Sequence, residues 1–110
     1  IALDDGGHLT APELPAPGTA VLASVAPTAI MLFNAEPSAS ARNLWPAHVT
    51  DLHTLGGRVR ITLRANEPGR GPRHLVAEVT DDAVRDLGIA TDQLLWASIK
   101  ATDLAISPME

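Results

Sequence analysis

The alternation of apolar and polar residues is most regular over residues 58–65. One side of this stretch carries only apolar residues, Val59, Ile61, Leu63 and Ala65. The other side carries only polar residues, Arg58, Arg60, Thr62 and Arg64. A period of two predicts a strand with one buried face and one exposed face. The preceding Gly56-Gly57 pair predicts a hairpin turn that joins it to an earlier strand.

Further strands are predicted on both sides of this hairpin. Residues 46–54 predict a strand with a bulge, because Val49 and Leu52 are out of phase with a period of two. Shorter segments predict the other strands, over residues 8–11, 19–26, 28–34, 75–79, 94–100 and 103–107. Residues 80–88 predict one short helix, with a hydroxyl residue at the start, acids in the first turn and glycine at the end. Short, closely spaced strands with a single helix predict an all-β fold, a small β-barrel.

The chain also contains an internal repeat. Residues 16–32 align without a gap to residues 90–106, an offset of 74, with four identities and coinciding apolar positions. The later copy has Lys100-Ala101-Thr102 where the earlier copy has Ala26-Pro27-Thr28, so the earlier copy lacks the cation. The repeat predicts a partial copy over residues 1–36, whose strands complete a second barrel, and a complete unit over residues 37–110.

The composition narrows the classes of function. Aromatic residues make up 3% of the chain and apolar residues 45%, so the core must consist of Val, Ile, Leu and Ala. Cysteine is absent, which excludes disulfides and thiolate chemistry, and the four histidines lack the spacing of a metal site. A net charge of −5 disfavours nucleic acid as a partner. No apolar run approaches the ~20 residues of a membrane-spanning helix, so no direct membrane insertion is expected.

Two basic residues suggest a binding site. Lys100 is the only lysine, and it ends an apolar stretch flanked by Ser98 and Thr102. Arg42 lies among small and polar residues in the segment Ser40–Asn43. Cations, hydroxyl groups and exposed backbone N–H groups are the donors that a small tetrahedral oxyanion requires. This combination favours an oxyanion-binding module.

Each of these residues also has a simpler interpretation. Arg42 is explained equally by a surface arginine, and Lys100 by a side chain that reaches water from the end of a strand. Thr80 is explained by a helix cap, and Asn43 by a cap of a turn or strand. Sequence spacing leaves these alternatives open. An enzyme is not expected, because no nucleophile–base pair or carboxylate pair can be identified.

Taken together, these motifs resemble the molybdate-binding Mop or TOBE domain over about residues 38–107. The segment Ser40–Asn43, the hairpin, Val79-Thr80 before the short helix, and the segment Ser98–Thr102 carry the resemblance. It implies an OB-like barrel of the Mop/TOBE type that self-associates as a homodimer and binds molybdate or tungstate between units, with no cofactor. The oxyanion-binding residues implied by the motif match are Ser40, Ala41, Arg42, Asn43, Thr80, Lys100, Ala101 and Thr102.

The partial first copy favours one setting for such a domain. In ATP-binding subunits of ABC importers, a partial copy commonly precedes a complete one. The resemblance therefore implies an upstream nucleotide-binding domain, a membrane permease as partner and a cytoplasmic location against the inner membrane. The chain begins with Ile1 and is expected to be part of a longer protein, suspected to be a transporter ATPase.

Two alternatives within the family stay open. One is a structural, dimerising TOBE domain of an importer for another substrate, which binds no oxyanion. The other is a molbindin-like molybdate storage protein, although a two-unit storage protein is expected to carry the Ser-Ala-Arg-Asn signature twice and this chain carries it once. An OB-type binder of single-stranded nucleic acid is disfavoured by the acidic charge and the three aromatic residues.

Overall fold

The fold consists mainly of strands. The computed structural model describes residues 21–38, 42–65 and 73–108, so the strand predicted over residues 8–11 lies outside the described residues. The elements in chain order are β1 Val21–Ser24, the 3₁₀ helix η1 Pro27–Ala29, β2 Met31–Phe33, β3 Arg42–Leu55, β4 Arg58–Ala65, β5 His74–Thr80, α1 Asp81–Leu87, β6 Leu94–Lys100, the 3₁₀ helix η2 Ala101–Asp103 and β7 Ala105–Pro108.

Five strands form one antiparallel sheet in the order β2-β6-β3-β4-β5. This sheet curls into a half-barrel, which confirms the prediction of an all-β, OB-like fold with one short helix. The two remaining strands, β1 and β7, pair with each other in a separate antiparallel sheet. Both sheets combine strands from the two copies of the repeat, so the copies are interleaved.

The β3–β4 hairpin has the predicted turn and the predicted bulge. Leu55 pairs with Arg58 across the two-residue turn, and Gly56 has a φ of 63°, a conformation that glycine adopts at little cost. The register shifts between Val49 and Asp51, which leaves one extra residue on β3. The extra residue restores the alternation on the far side of the bulge, so that Val49 is buried and Leu52 packs against the same core.

One face of the curled sheet forms the core. Its buried residues are short aliphatic side chains with one tryptophan, Ile30, Leu32, Trp45, Ala47, Val49, Val59, Ile61, Leu63, Ala77, Ile89, Leu95, Ala97, Ile99 and Leu104. Ile30 and Leu32 precede residue 37, so the first copy contributes to the core that the complete unit uses. The division at residue 36 stays a prediction, and the described residues on its two sides share one core.

The short helix is bounded as predicted. Thr80 is the N-cap, and its Oγ1 accepts a hydrogen bond from the backbone N–H of Ala83 at 3.1 Å. Gly88 ends the helix in the left-handed region, with a φ of 62°. The backbone N–H of Ile89 then bonds to the carbonyl of Val84, and Ile89 is buried. The helix contacts β5 and β4, and its residues Asp82 and Asp86 are exposed.

The predicted ends of three strands were wrong. β3 begins at Arg42, ahead of the predicted residue 46, because it pairs with β6 along the whole of that strand. Residues 101–103 form η2, closed by the N–H of Leu104 bonding to the carbonyl of Ala101 at 3.2 Å, so β7 begins at Ala105. Residues 27–29 form η1 in the same way, so the predicted strand over residues 28–34 shortens to Met31–Phe33.

In the described part of the chain, no helix has the length and apolar character needed to cross a membrane.

Candidate oxyanion site

The register of β3 and β6 brings the two key cationic residues together. Arg42 is the first residue of β3 and Lys100 is the last residue of β6, and the two are direct cross-strand partners. Residues at such positions have Cβ atoms about 4.5–5.5 Å apart. Two positions separated by most of the complete unit are therefore adjacent in a single copy of the chain.

Lys100 has no acidic partner within the described ranges. Lys100 is exposed, and it takes part in none of the ion pairs found within residues 21–38, 42–65 and 73–108. η2 begins at the next residue, so Lys100 stands where the chain leaves the sheet. Ala101 is half-buried and Thr102 is exposed in that turn. Lys100 therefore stands at the start of an exposed turn that also contains Thr102.

Asn43 has a structural role next to this pair. It is 7% exposed, and its Nδ2 donates a hydrogen bond to the carbonyl of its cross-strand partner Ile99 at 3.4 Å. The bond fastens β3 to β6 one position from Arg42 and Lys100. Ser40 and Ala41 lie outside the described residues, so their predicted contribution stays a prediction.

Ser98 was not among the eight predicted site residues. It is 1% exposed, and its Oγ has no hydrogen-bond partner among the described residues. Its spacing of two from Lys100 places both residues on the same face of β6, and that spacing is the signal in the sequence. A buried hydroxyl without a partner costs free energy, so Ser98 is a candidate for supporting a polar ligand at the end of the strand.

Within a single chain, Thr80 does not lie beside the Arg42–Lys100 pair. It pairs with Arg58, and Arg58 pairs with Leu55 at the end of β3, whereas Arg42 begins that strand of 14 residues. β5, the strand that ends at Thr80, instead packs against η1 of the first copy. The structure therefore separates Thr80 from the Arg42–Lys100 pair and associates its strand with the copy that lacks a cation.

Replacing Thr80 by alanine is expected to lower the free energy of unfolding by about 1 kcal/mol, because the helix loses its N-cap hydrogen bond. Thr80→Ser keeps an oxygen at the same position and should retain most of this stability. Urea unfolding of both variants measures the difference. Equal stability of the alanine and serine variants would contradict a capping role.

The other arginines of the sheet have a different environment. Arg58 and Arg60 lie 3.7 and 3.8 Å from the carboxylate of Glu78. Arg64 is exposed, lies opposite His48 and His74, and takes part in none of the ion pairs found in the described ranges. It therefore provides a matched control for the loss of one positive charge from the barrel. In the same ranges, no three His, Cys, Asp or Glu residues are placed to hold a metal ion.

Comparison with known families agrees with this fold and with the resemblance in sequence. The family model described as TOBE domain matches residues 39–106, more than half of the chain. The chain belongs to the TOBE domain family.

The relatives found are named for molybdenum import or molybdate binding. Two strains of Mycobacterium tuberculosis, CDC 1551 / Oshkosh and H37Rv, have a "Molybdenum import ATP-binding protein ModC" that is 31% identical to this chain over 91 residues. The alignment covers 83% of this chain but only 24% of those relatives, so the chain spans about a quarter of their length. Among solved structures, the cytoplasmic molybdate-binding protein ModG, crystallised with molybdate bound, matches with a TM-score of 0.70 and 25% identity. That match covers 81% of this chain and 62% of ModG.

Proposed function

We propose that this chain is the regulatory oxyanion-binding domain of the ATP-binding subunit of an ABC importer, and that its ligand is molybdate or tungstate. Arg42 and Lys100 supply the positive charges, and Ser40, Ala41, Asn43, Ala101 and Thr102 supply the surrounding polar and backbone groups. The chain itself carries out no catalysis, and ATP hydrolysis belongs to the upstream nucleotide-binding domain.

The observation that carries this proposal is the pairing of Arg42 with Lys100. Like charges at directly opposite positions destabilise a sheet. A tetrahedral dianion shared by both residues reverses this effect, because each hydrogen bond to a charged group contributes about 1.5–3 kcal/mol. The pair is unfavourable without a ligand and favourable with one, as expected of a binding site.

Two further observations support an anion as the ligand. Lys100 has no carboxylate partner in the described part of the chain, whereas Arg58 and Arg60 share Glu78. The net charge of −5 also means that an anion must be captured by local groups against the average field. ModC is named for molybdenum import and ModG for molybdate binding, so molybdate is the anion to test first.

Regulation would follow from binding between two copies. The domain dimerises within an importer that also contains a permease, on the cytoplasmic side of the inner membrane. Oxyanion bound across the dimer stabilises the arrangement in which the two attached ATPases are held apart, and uptake stops when the cytoplasmic ligand is abundant. Such inhibition requires the ligand to bind this arrangement more tightly than the active one.

Isothermal titration calorimetry of the chain with sodium molybdate tests the proposal. Saturable binding of molybdate and tungstate is expected, and binding should be unchanged in Arg64→Ala, which removes a charge away from the Arg42–Lys100 pair. A sulfate titration under the same conditions measures selectivity. If the wild-type chain binds none of the three anions, the proposal is wrong and a structural, dimerising TOBE domain is the better description.

A further inference from the structure

Three adjacent strands share an outward side that the proposed oxyanion site does not use. The alternation along β4 places Val59, Ile61 and Leu63 in the core, so the residues between them lie on the opposite, outward side. Residues of β3 and β5 lie directly opposite these outward residues. We call the outward side of β3, β4 and β5 the basic face. Its arginines and histidines are Arg58, Arg60, Arg64, His48, His53 and His74.

The basic face differs in charge from the rest of the molecule. It carries three arginines and three histidines but only two acids, Asp51 and Glu78. Because the whole chain has a net charge of −5, acidic residues dominate elsewhere. The only lysine, Lys100, ends β6 and does not belong to this face. Arginine without lysine is typical of surfaces that bind other proteins.

Two of these arginines form ion pairs with a carboxylate of the same face. Arg58 and Arg60 lie 3.7 and 3.8 Å from the carboxylate oxygens of Glu78. The side chain of Glu78 is 19% exposed, whereas those of Arg58 and Arg60 are 57% and 55% exposed. Glu78 lies directly opposite Arg60 on β5. A carboxylate over β5 is therefore a group that the arginines of this face accept.

One row of the basic face lacks such a carboxylate. Arg64 lies directly between His48 of β3 and His74 of β5, and we call these three residues the Arg64 row. In the described part of the chain, none of the three takes part in an ion pair. The other acid of the face, Asp51, lies opposite Thr62 and not in this row. The row therefore offers a guanidinium between two imidazoles, all of which can donate hydrogen bonds.

We propose that the basic face is a docking surface for an acidic segment of a partner protein, and that the Arg64 row binds a carboxylate of that segment. The planar guanidinium of Arg64 matches a carboxylate with two parallel hydrogen bonds, and the imidazoles add donors on both sides. Leu55 and Val76 are 41% and 42% exposed and offer apolar contacts on the same face. Since the rest of the molecule repels an acidic partner, the charge distribution also sets the orientation of docking.

The docking surface is separate from the proposed oxyanion site. His48 lies six positions beyond Arg42 on β3, which corresponds to about 20 Å along the strand. Docking therefore does not depend on molybdate binding. Arg64→Gln should weaken docking and leave the affinity for molybdate unchanged. Parallel losses of both activities would indicate an effect of net charge and would overturn the proposal.

Titration of a fluorescently labelled oligoglutamate peptide with blocked ends tests the proposal, with fluorescence anisotropy as the measurement. The wild-type chain should bind it saturably at about 10 mM NaCl and more weakly at about 150 mM, and it should not bind oligoglutamine of the same length. Arg64→Gln should weaken binding about five- to tenfold. No binding by the wild type at low salt would overturn the proposal.

Arg85→Gln is the matched control for the lost positive charge. Arg85 lies on α1, where it pairs with Asp82, and not on the basic face. Its replacement should leave the affinity for oligoglutamate close to that of the wild type. Equal losses in Arg64→Gln and Arg85→Gln would contradict a specific role of the Arg64 row.

Glu78→Gln tests the proposal in the opposite direction. The substitution releases Arg58 and Arg60 from their carboxylate and should raise the affinity for oligoglutamate at least about threefold. Asp103→Asn removes the same negative charge from η2, away from the basic face, and should have a smaller effect. Equal increases in the two variants would show that only the net charge matters, against the proposal.

Two further measurements locate the surface and identify the class of partner. Changes in amide NMR shifts caused by oligoglutamate should be largest around the Arg64 row, and changes centred on Lys100 would contradict this location. Phosphatidylglycerol vesicles provide a lipid surface of the same sign. If the vesicles bind in an Arg64-dependent manner and oligoglutamate does not, the face binds a membrane and the proposal of a protein partner is wrong.

Discussion

Replacing Lys100 by alanine is expected to weaken molybdate binding about 10- to 100-fold, because a dianion loses one hydrogen bond to a charged donor. The residue offers the most sensitive test because it has no competing carboxylate partner in the described part of the chain. Calorimetry of the variant and the wild type under identical salt measures the ratio. Lys100→Arg keeps the charge and should retain part of the affinity.

The stability of the ligand-free protein should change in the opposite direction. Lys100 lies opposite Arg42, so its removal relieves repulsion and should raise the free energy of unfolding. The increase in melting temperature that molybdate causes in the wild type should be lost in the same variant. A merely structural Lys100 would not produce this combination of higher intrinsic stability and lost stabilisation by ligand.

Arg64→Ala controls for the effect of the protein's net charge on anion binding, because it removes one positive charge from an exposed position on the same sheet. Its affinity for molybdate should match that of the wild type. Equal affinities of the wild type, Lys100→Ala and Arg64→Ala would show that the Arg42–Lys100 pair is not the binding site. Equal losses in both variants would instead indicate a non-specific effect of net charge.

Local patterns were enough to predict much of the sheet. The strict alternation over residues 58–65 and the Gly56-Gly57 pair predicted the β3–β4 hairpin, which the structure confirms with Leu55 opposite Arg58. Thr80 and Gly88 likewise predicted both ends of α1. These features depend on contacts between residues close in sequence. The conformational propensities of the residues and the period of the apolar positions therefore determine them.

Pairing between distant segments could not be predicted from the same patterns. Nothing local indicates that β3 extends back to Arg42, because that extension depends on β6, more than fifty residues later. The motif match assigned Thr80 and Lys100 to one site, but the position of Thr80 depends on the registers of β4 and β5, which place it at the far end of β3. The assignment of Thr80 and Lys100 to one site stays a prediction, because the distance between them depends on strand topology that no local pattern contains.

The internal repeat was predicted in part from the sequence. Four identities at an offset of 74 correctly indicated two equivalent segments, and the structure gives each of them a strand, a 3₁₀ helix and a strand. The alignment did not indicate that the segments pair with each other. Interleaving places β2 of the first copy in the sheet of the second, so the described parts of the two copies share one core, and the boundary at residue 36 stays a prediction.

This interleaving leads to the second large effect. Ile30→Ala is expected to lower the free energy of unfolding of the whole domain by about 2–5 kcal/mol, because it opens a cavity in the core of the complete unit. Ile30 is 3% exposed and belongs to the same buried cluster as Ile61 and Leu95. The measurement is urea unfolding followed by tryptophan fluorescence, with Trp45 of β3 and Trp96 of β6 as the reporters.

Met31→Ala is the matched control, since Met31 is the next residue and is 40% exposed. It should change the stability by only about 0.5 kcal/mol. The shape of the transition separates the two possible organisations of the chain. If the copies fold as one unit, Ile30→Ala shifts a single transition, because the sheet cannot keep its core without β2 and η1. If residues 1–36 and 37–110 fold independently, the main transition reported by Trp45 and Trp96 should stay where it is in the wild type, and the partial first copy would then be an attachment to the barrel.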